Sequence, residues 1–194
     1  MKTVLYLIRH AAYENPKQIF HGRLPGFPLS AAGREQAKKL ASALKKKPIA
    51  AVYASPLTRA QQTARIIARP FELSVKTDRR LLDIRTPIQG RPMQFIKDIK
   101  GEMYRPEFIA MGGERLREVF ERMDVCIRDL VRRHPGQSIV IVSHGDPIMS
   151  IRYRYQGKRL PRLFPYDESY VQQASGIVIC FDGPSVSSVS PFHP

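Results

Sequence analysis

Short apolar runs separated by longer amphipathic stretches set the pattern of this chain. Residues 4–8 and 139–142 are apolar throughout, as a parallel strand covered on both faces requires. Further apolar runs at 51–54 and 177–181 predict two more strands, and residues 186–189 suggest an edge strand in the tail. Ala37, Leu40, Ala41 and Leu44 recur at i, i+3, i+4 and i+7 and mark the buried face of a helix. A longer helix is marked by Leu116, Val119, Phe120, Met123, Ile127 and Leu130, and it stops at His134, Pro135 and Gly136. Another is predicted to begin at Pro56, with Ser55 as its N-cap. This alternation predicts one α/β domain over residues 1–194, a three-layer α/β/α sandwich around a mostly parallel central sheet.

Two of the predicted strands end on histidines. Arg9 and His10 follow the first run, and Ser143, His144 and Gly145 follow 139–142. Ligands of open α/β sheets collect outside the carboxyl ends of the strands, so both histidines can face one crevice. Arg59 falls in the first turn of the helix after residues 51–54, beside free backbone N–H groups and the positive end of the helix dipole. A single histidine after a strand is usually structural. Two histidines and two arginines converging on one crevice suggest phosphate chemistry.

The ordered set of Arg9-His10, then Ser55-Pro56-Leu57-Thr58-Arg59-Ala60-Gln61-Gln62-Thr63-Ala64, then Ser143-His144-Gly145, resembles the histidine phosphatase superfamily in its phosphoglycerate-mutase-like branch. Pro28, Leu29, Ser30, Gly33, Gln36 and Ala37 extend the resemblance, which spans residues 4–149. It implies a phosphoglycerate-mutase-like fold and a neutral His10 that attacks phosphorus, forms a phosphohistidine and is regenerated by water. Arg9, Arg59 and a protonated His144 would neutralise the charge on the equatorial oxygens of the transition state. Asn15, His21, Gly22 and Gly145 complete the implied substrate-binding set with Arg9, Arg59 and His144. Relatives place a glutamate acid after the second motif. Here Leu81-Leu82-Asp83-Ile84 stands in that place, which makes the shorter Asp83 the expected general acid and base. Asp146 is the competitor, because a more distant branch carries its acid beside the second histidine. Ala11 and Ala12 replace the usual glycine and glutamate or glutamine after the nucleophile, Glu14 is offset, and Gly26 replaces a frequent aspartate. These departures bear on substrate identity more than on activity.

Composition agrees with a globular enzyme: 43% of the 194 residues are hydrophobic and 25% charged. No apolar run approaches a membrane span, and Met1-Lys2-Thr3 leads into a strand rather than a secretory signal, so a cytoplasmic location is expected. Cys126 and Cys180 lack metal or redox spacing and are expected reduced, with one disulfide left open. The five histidines show no ligand spacing, so neither a metal nor another cofactor is expected.

The formal net charge of +15 is uneven: residues 1–100 hold 20 Lys and Arg against 6 Asp and Glu, and the remainder 12 against 11. Lys45, Lys46 and Lys47 read as a solvated helix end. Arg79, Arg80, Arg85 and Arg91 flank Asp83 and are expected to steer or hold an anionic substrate. Residues 85–113, broken by Pro87, Pro92, Pro106, Gly112 and Gly113, read as an insertion that either covers the pocket and selects the substrate or serves as a structural cap.

The expected partner is a small phosphoester. Two alternatives accompany the phosphatase reading. A mutase would share the phosphohistidine half-reaction, but this chain is short for one and lacks a Trp-Asn sequence after the first motif. A noncatalytic basic binder is the other, although nucleic acid is disfavoured by the absence of Trp and of a nucleic-acid motif. Oligomeric state is left open, with a homodimer as the form considered.

Overall fold

Alternation along the central strands sets the layering of the computed structural model, which describes residues 1–194. Six strands, β1 (Lys2–Arg9), β2 (Ile49–Ala54), β3 (Val75–Thr77), β4 (Ser138–Ser143), β5 (Gly176–Asp182) and β6 (Ser185–Phe192), form one sheet in the order β3, β2, β4, β1, β5, β6. The first four run parallel; β5 pairs antiparallel with β1, and β6 with β5. Helices α1 (Ala31–Leu44), α2 (Thr58–Ala68), α3 (Met93–Asp98), α4 (Pro106–Ala110), α5 (Leu116–Arg133) and α6 (Gly145–Tyr155) complete the fold. Leu5, Leu7, Ile139 and Ile141 pack on one face of the sheet with Met123, Ile127 and Leu130 of α5 and Ile148 and Ile151 of α6. Tyr6, Ile8, Val140 and Val142 pack on the other with Ala37, Leu40 and Leu44 of α1 and Ala60, Ala64 and Ile67 of α2. The result is the expected α/β/α sandwich, with apolar burial on both faces of the parallel strands.

Register fixes the functional edge. Arg9 pairs with Ser143 across β1 and β4, and Ala54 with Val142 across β2 and β4. Beyond the strand ends, the His10 N–H donates to the Ser143 carbonyl at 3.0 Å and the Ser55 N–H to the Val142 carbonyl at 3.0 Å. His10, Ser55 and His144 therefore leave three adjacent strands at nearly one level.

Ser30 caps α1 by accepting from the Gly33 N–H at 3.0 Å. Gly33 is required by close approach, since a Cβ there would run into the Ala12 carbonyl. Gln36 accepts from the Ala12 N–H at 2.9 Å and Gln62 from the Leu29 N–H at 2.7 Å, so both helices hold the loop that follows His10. The expected Ser55 cap is corrected. Helix α2 begins at Thr58 with Leu57 in the cap position and no side-chain cap bond, while Ser55 Oγ lies 2.8 Å from His144 Nε2. The serine therefore bridges the histidine after β4 and the Leu57 N–H, 3.4 Å away, rather than capping the first turn of the helix.

Three-residue β3, five-residue α4 and the 3₁₀ turns at Arg69–Phe71 and Arg79–Leu81 are too short to show periodicity. Strand β6 extends past the expected 186–189 at both ends. Cys126 and Cys180 are both free, and burial, ahead of the nearby Asp78, pushes the Cys126 thiol up to about 12. No helix is long and apolar enough to cross a membrane. The 85–113 segment builds an apolar cluster of its own from Ile88, Ile96, Ile99, Met103 and Phe108, with Ile84 and Val119.

Gly33→Ala is expected to destabilise the fold by about 1–3 kcal/mol, the range for forced overpacking. Calorimetry should show Tm lower by several degrees. An unchanged Tm would mean that the loop carrying Ala12 yields freely.

Candidate active site

A cavity of about 520 Å³ opens at the carboxyl edge of the sheet and is lined by Arg9, His10, His21, Asp83, Gly145 and Asp146. Its volume lies within the range of small-molecule sites. His10 is buried, with Nδ1 2.9 Å from the Ala11 carbonyl and Nε2 accepting from Arg59 Nε at 3.1 Å. A carbonyl only accepts and a guanidinium only donates, so His10 is the neutral Nδ1–H tautomer. Burial first, then the charges of Arg59 and Arg9, hold its pKa well below the ordinary histidine value.

His144 faces His10 with ring centroids 5.2 Å apart. Its Nδ1 accepts from Arg59 Nη2 at 3.3 Å, which leaves Nε2–H to donate to Ser55 Oγ. It too is neutral, its pKa lowered first by burial and then by Arg59 and His10. A buried imidazole beside a guanidinium sheds its proton, so the expected protonated His144 is not the form of the site without an anion. His21 sits between Tyr13 and Asp83, with Nδ1 2.9 Å from the Tyr13 hydroxyl, and burial and the two arginines lower its pKa to about 3.

Arg59, only 1% exposed, ties the cluster together. Besides both histidines it reaches the Gly22 carbonyl at 2.9 Å and Asp83 Oδ2 at 3.1 Å. Arg9 donates from Nη1 to the Val171 carbonyl at 2.8 Å and lies 5.4 Å from the Tyr170 ring centroid. Its Nε is the one buried side-chain nitrogen or oxygen without a hydrogen-bond partner. An orphaned donor of this kind costs about 1–3 kcal/mol, which an anion accepting from it recovers. His144 stands at the N-cap of α6 without a side-chain cap bond, so the free N–H groups of that helix also face the cavity end where Gly145 lies. A Cβ at Gly145 would strike the Tyr170 hydroxyl.

The two aspartates have different surroundings. Asp83 Oδ2 lies 3.6 Å from His144 Nδ1 in addition to its Arg59 contact, and Oδ1 accepts from the Ile84 N–H at 2.9 Å. Asp146 accepts from the Tyr104 and Tyr170 hydroxyls at 2.6 Å each and from Tyr166 at 3.4 Å, and no cation pairs with it. Burial raises its pKa despite those hydrogen bonds.

Behind Asp83, Arg122 of α5 donates to the carbonyls of Arg80, Leu82 and Asp83 at 2.8, 2.7 and 3.0 Å and to both oxygens of Glu114 at 2.9 and 3.2 Å. Arg23 donates to the same Asp83 carbonyl at 2.7 Å and to Glu114 at 2.8 Å. Neither arginine was marked by a motif. Tyr104, Tyr166, Tyr170, Lys97 and Lys100 were also missed, because no local spacing sets them apart from surface residues.

Of the expected site residues, Arg9, His10, His21, Asp83 and Gly145 line the cavity, and Arg59 and His144 pack beneath it. Gly22 acts through its carbonyl, in a left-handed turn at φ 46°. Asn15 is the exception: its amide closes a turn on the Ile19 backbone at 2.9 and 3.2 Å, and it faces a separate surface cleft. The expectation for the four arginines near Asp83 is also corrected. Arg80 is spent on Asp78 and Asp129 at 2.6 and 2.9 Å, Arg91 stacks on Phe95, and none of the four lines the cavity. Lys97 and Lys100 of the inserted segment do.

The profile of the histidine phosphatase superfamily (branch 1) matches residues 5–187. The uncharacterised protein Rv0525 of Mycobacterium tuberculosis is 37% identical over 164 residues, covering 82% of this chain and 81% of that protein. Phosphoserine phosphatase 1 of Hydrogenobacter thermophilus is 31% identical over 173 residues, covering 84% and 80%. Among solved structures, YhfR of Bacillus stearothermophilus superposes with a TM-score of 0.82 at 26% identity, over 95% of this chain and 94% of that one.

His10, His21 and His144 all have depressed pKa values, so below about pH 6.5 the unfolded chain takes up protons that the fold refuses. Stability is therefore complete above that pH and falls as the pH drops from about 6.5 towards 5, by up to about 1.4 kcal/mol per unit for each histidine. Urea denaturation at a series of pH values measures this directly. A flat profile over that window would show that the imidazoles are protonated in the fold.

Proposed function

The chain belongs to the histidine phosphatase superfamily, and from that membership we propose that it hydrolyses a small anionic phosphomonoester through a phosphohistidine on His10, without a metal ion. The observation that carries the reading is the His10 ring, whose Nδ1–H is fixed on the Ala11 carbonyl so that the Nε2 lone pair is directed to the Arg59 side. A neutral imidazole held in one tautomer is the form that attacks phosphorus. Support for phosphoester hydrolysis also comes from the relative named a phosphoserine phosphatase.

The phosphoryl oxygens take the unpartnered Arg9 Nε, the Arg59 guanidinium and the N–H groups at the start of α6. Dianionic phosphate beside His144 raises the pKa that burial and Arg59 depress, so the second imidazole gains its proton as substrate binds. As the phosphate takes over the Arg59 guanidinium, the Nε2 lone pair of His10 is released from Arg59 Nε–H, and Asp83, relieved of its ion pair, takes up a proton from solvent. Nε2 then bonds to phosphorus as the ester P–O bond breaks in line with it, and the departing alkoxide takes that proton from Asp83. In the second half, Asp83 as carboxylate removes a proton from water, whose oxygen displaces the imidazole from phosphorus. Inorganic phosphate leaves and His10 is regenerated. Asp83 is preferred to Asp146 because its Oδ2 lies 3.1 Å from Arg59 and 3.6 Å from His144, beside the nucleophile, whereas Asp146 is held among the Tyr104 and Tyr170 hydroxyls.

His10→Ala is expected to abolish hydrolysis, and rapid quenching of the wild type should trap an acid-labile, alkali-stable phosphoenzyme. Full turnover by His10→Ala would sink the mechanism. Treatment with EDTA should leave activity on a phosphomonoester panel unchanged, because side chains supply the positive charge; loss on chelation with recovery on adding a divalent ion would refute metal independence. Asp83→Asn should lower turnover of alkyl phosphates by roughly 10²–10⁴-fold and affect aryl phosphates, whose oxygen leaves unaided, far less. An active Asp83→Asn beside an inactive Asp146→Asn on an alkyl phosphate would transfer the acid role to Asp146.

A further inference from the structure

We propose that Arg122, with Glu114 and Arg23, is a positioning device that sets where the Asp83 carboxyl stands, so that delivery of the leaving-group proton depends on residues outside the cavity. The inference rests on Asp83 as the general acid. Asp83 has a short side chain with two rotatable bonds, so the reach of its carboxyl is decided mainly by where its backbone lies. That backbone follows the Arg79–Leu81 turn and belongs to no strand or longer helix. Carbonyls in such a segment ordinarily turn to water. Here the carbonyls of Arg80, Leu82 and Asp83 all converge on one guanidinium.

All five N–H groups of Arg122 are engaged: two of Nη1 on carbonyls, two of Nη2 on the Asp83 carbonyl and Glu114, and Nε on Glu114. Glu114 is 8% exposed and closes the frame by accepting also from Arg23 at 2.8 Å and from the Arg85 N–H at 2.8 Å. Arg23 returns to the Asp83 carbonyl at 2.7 Å, and its neighbour Gly22 holds Arg59. The network therefore acts on the backbone that carries the acid. None of Arg23, Glu114 and Arg122 lines the cavity. A planar fork can bind several carbonyls at fixed angles, which an ammonium group cannot reproduce.

Arg122→Lys keeps the charge and removes the fork, and Glu114→Gln keeps the shape and removes the charge that gathers the two arginines. Each is expected to lower kcat for an alkyl phosphate by roughly tenfold to a hundredfold, the scale of an ångström-sized misplacement, with KM little changed. Turnover of an aryl phosphate should fall less than about threefold, since its oxygen leaves without the proton. In an Asp83→Asn background, Arg122→Lys should cost nothing further on the alkyl substrate. Equal losses on both substrates, or additive losses in the double variant, with Tm confirming that the proteins fold, would overturn the positioning role and leave the acid assignment intact. Failure of the acid assignment has a separate signature, an Asp83→Asn variant that shows no preference between alkyl and aryl phosphates. If Arg122→Lys does not fold, Glu114→Gln reads the same selectivity.

Discussion

Burial of one positive charge organises this molecule. The Arg59 guanidinium is almost wholly removed from water, a state that costs several kcal/mol unless its hydrogen bonds are met and its charge is balanced. The fold meets that demand with acceptors from four places in the chain: the His10 and His144 rings, the Gly22 carbonyl and the Asp83 carboxylate. Serving as acceptors forces each histidine to present a lone pair to the arginine, and that requirement, together with desolvation, keeps both rings neutral. The same contact therefore determines tautomer, protonation and relative placement. The charge is thus fixed in place beneath the cavity before any ligand arrives.

The sheet supplies the frame for that charge. Parallel neighbours β2, β4 and β1 end at matched levels, so backbone hydrogen bonds beyond their last residues carry the alignment to Ser55, His144 and His10. Thr63 extends it sideways, accepting from the Ala11 N–H at 3.1 Å and donating to the Arg59 carbonyl at 2.7 Å. The loop after His10 and the helix that carries Arg59 are held by one hydroxyl. Apolar packing on both faces makes the edge rigid, because a one-residue slip in any central strand would misplace buried side chains on both faces.

The sandwich and the phosphate end of the site were legible in the sequence because their signals are local: strand-length apolar runs, helical periodicity, and histidines or arginines at strand and helix ends. Ser55 illustrates the limit. Its type and position suit an N-cap, yet a histidine from a strand 89 residues away competes for its hydroxyl and the helix starts later. Lys97, Lys100 and the tyrosines around Asp146 come from segments whose course depends on tertiary packing, so no spacing announces them. The arginines near Asp83 show the converse error: adjacency in sequence suggested a shared pocket, but the turn at Arg79–Leu81 and the pull of Asp78 and Asp129 keep Arg80 from it.

The inserted segment keeps its apolar side chains largely to itself, in a cluster separate from the two that sandwich the sheet. It touches the cavity through Met93, Ile96, Lys97, Lys100 and Met103, while Arg9, His10 and Gly145 stand at the ends of the strands. Drift in the segment therefore reshapes one wall of the cavity, while the packing that aligns the histidines is carried by the other two clusters. The wall of the cavity and the alignment of its histidines rest on separate packing units, and one can diversify while the other stays constant.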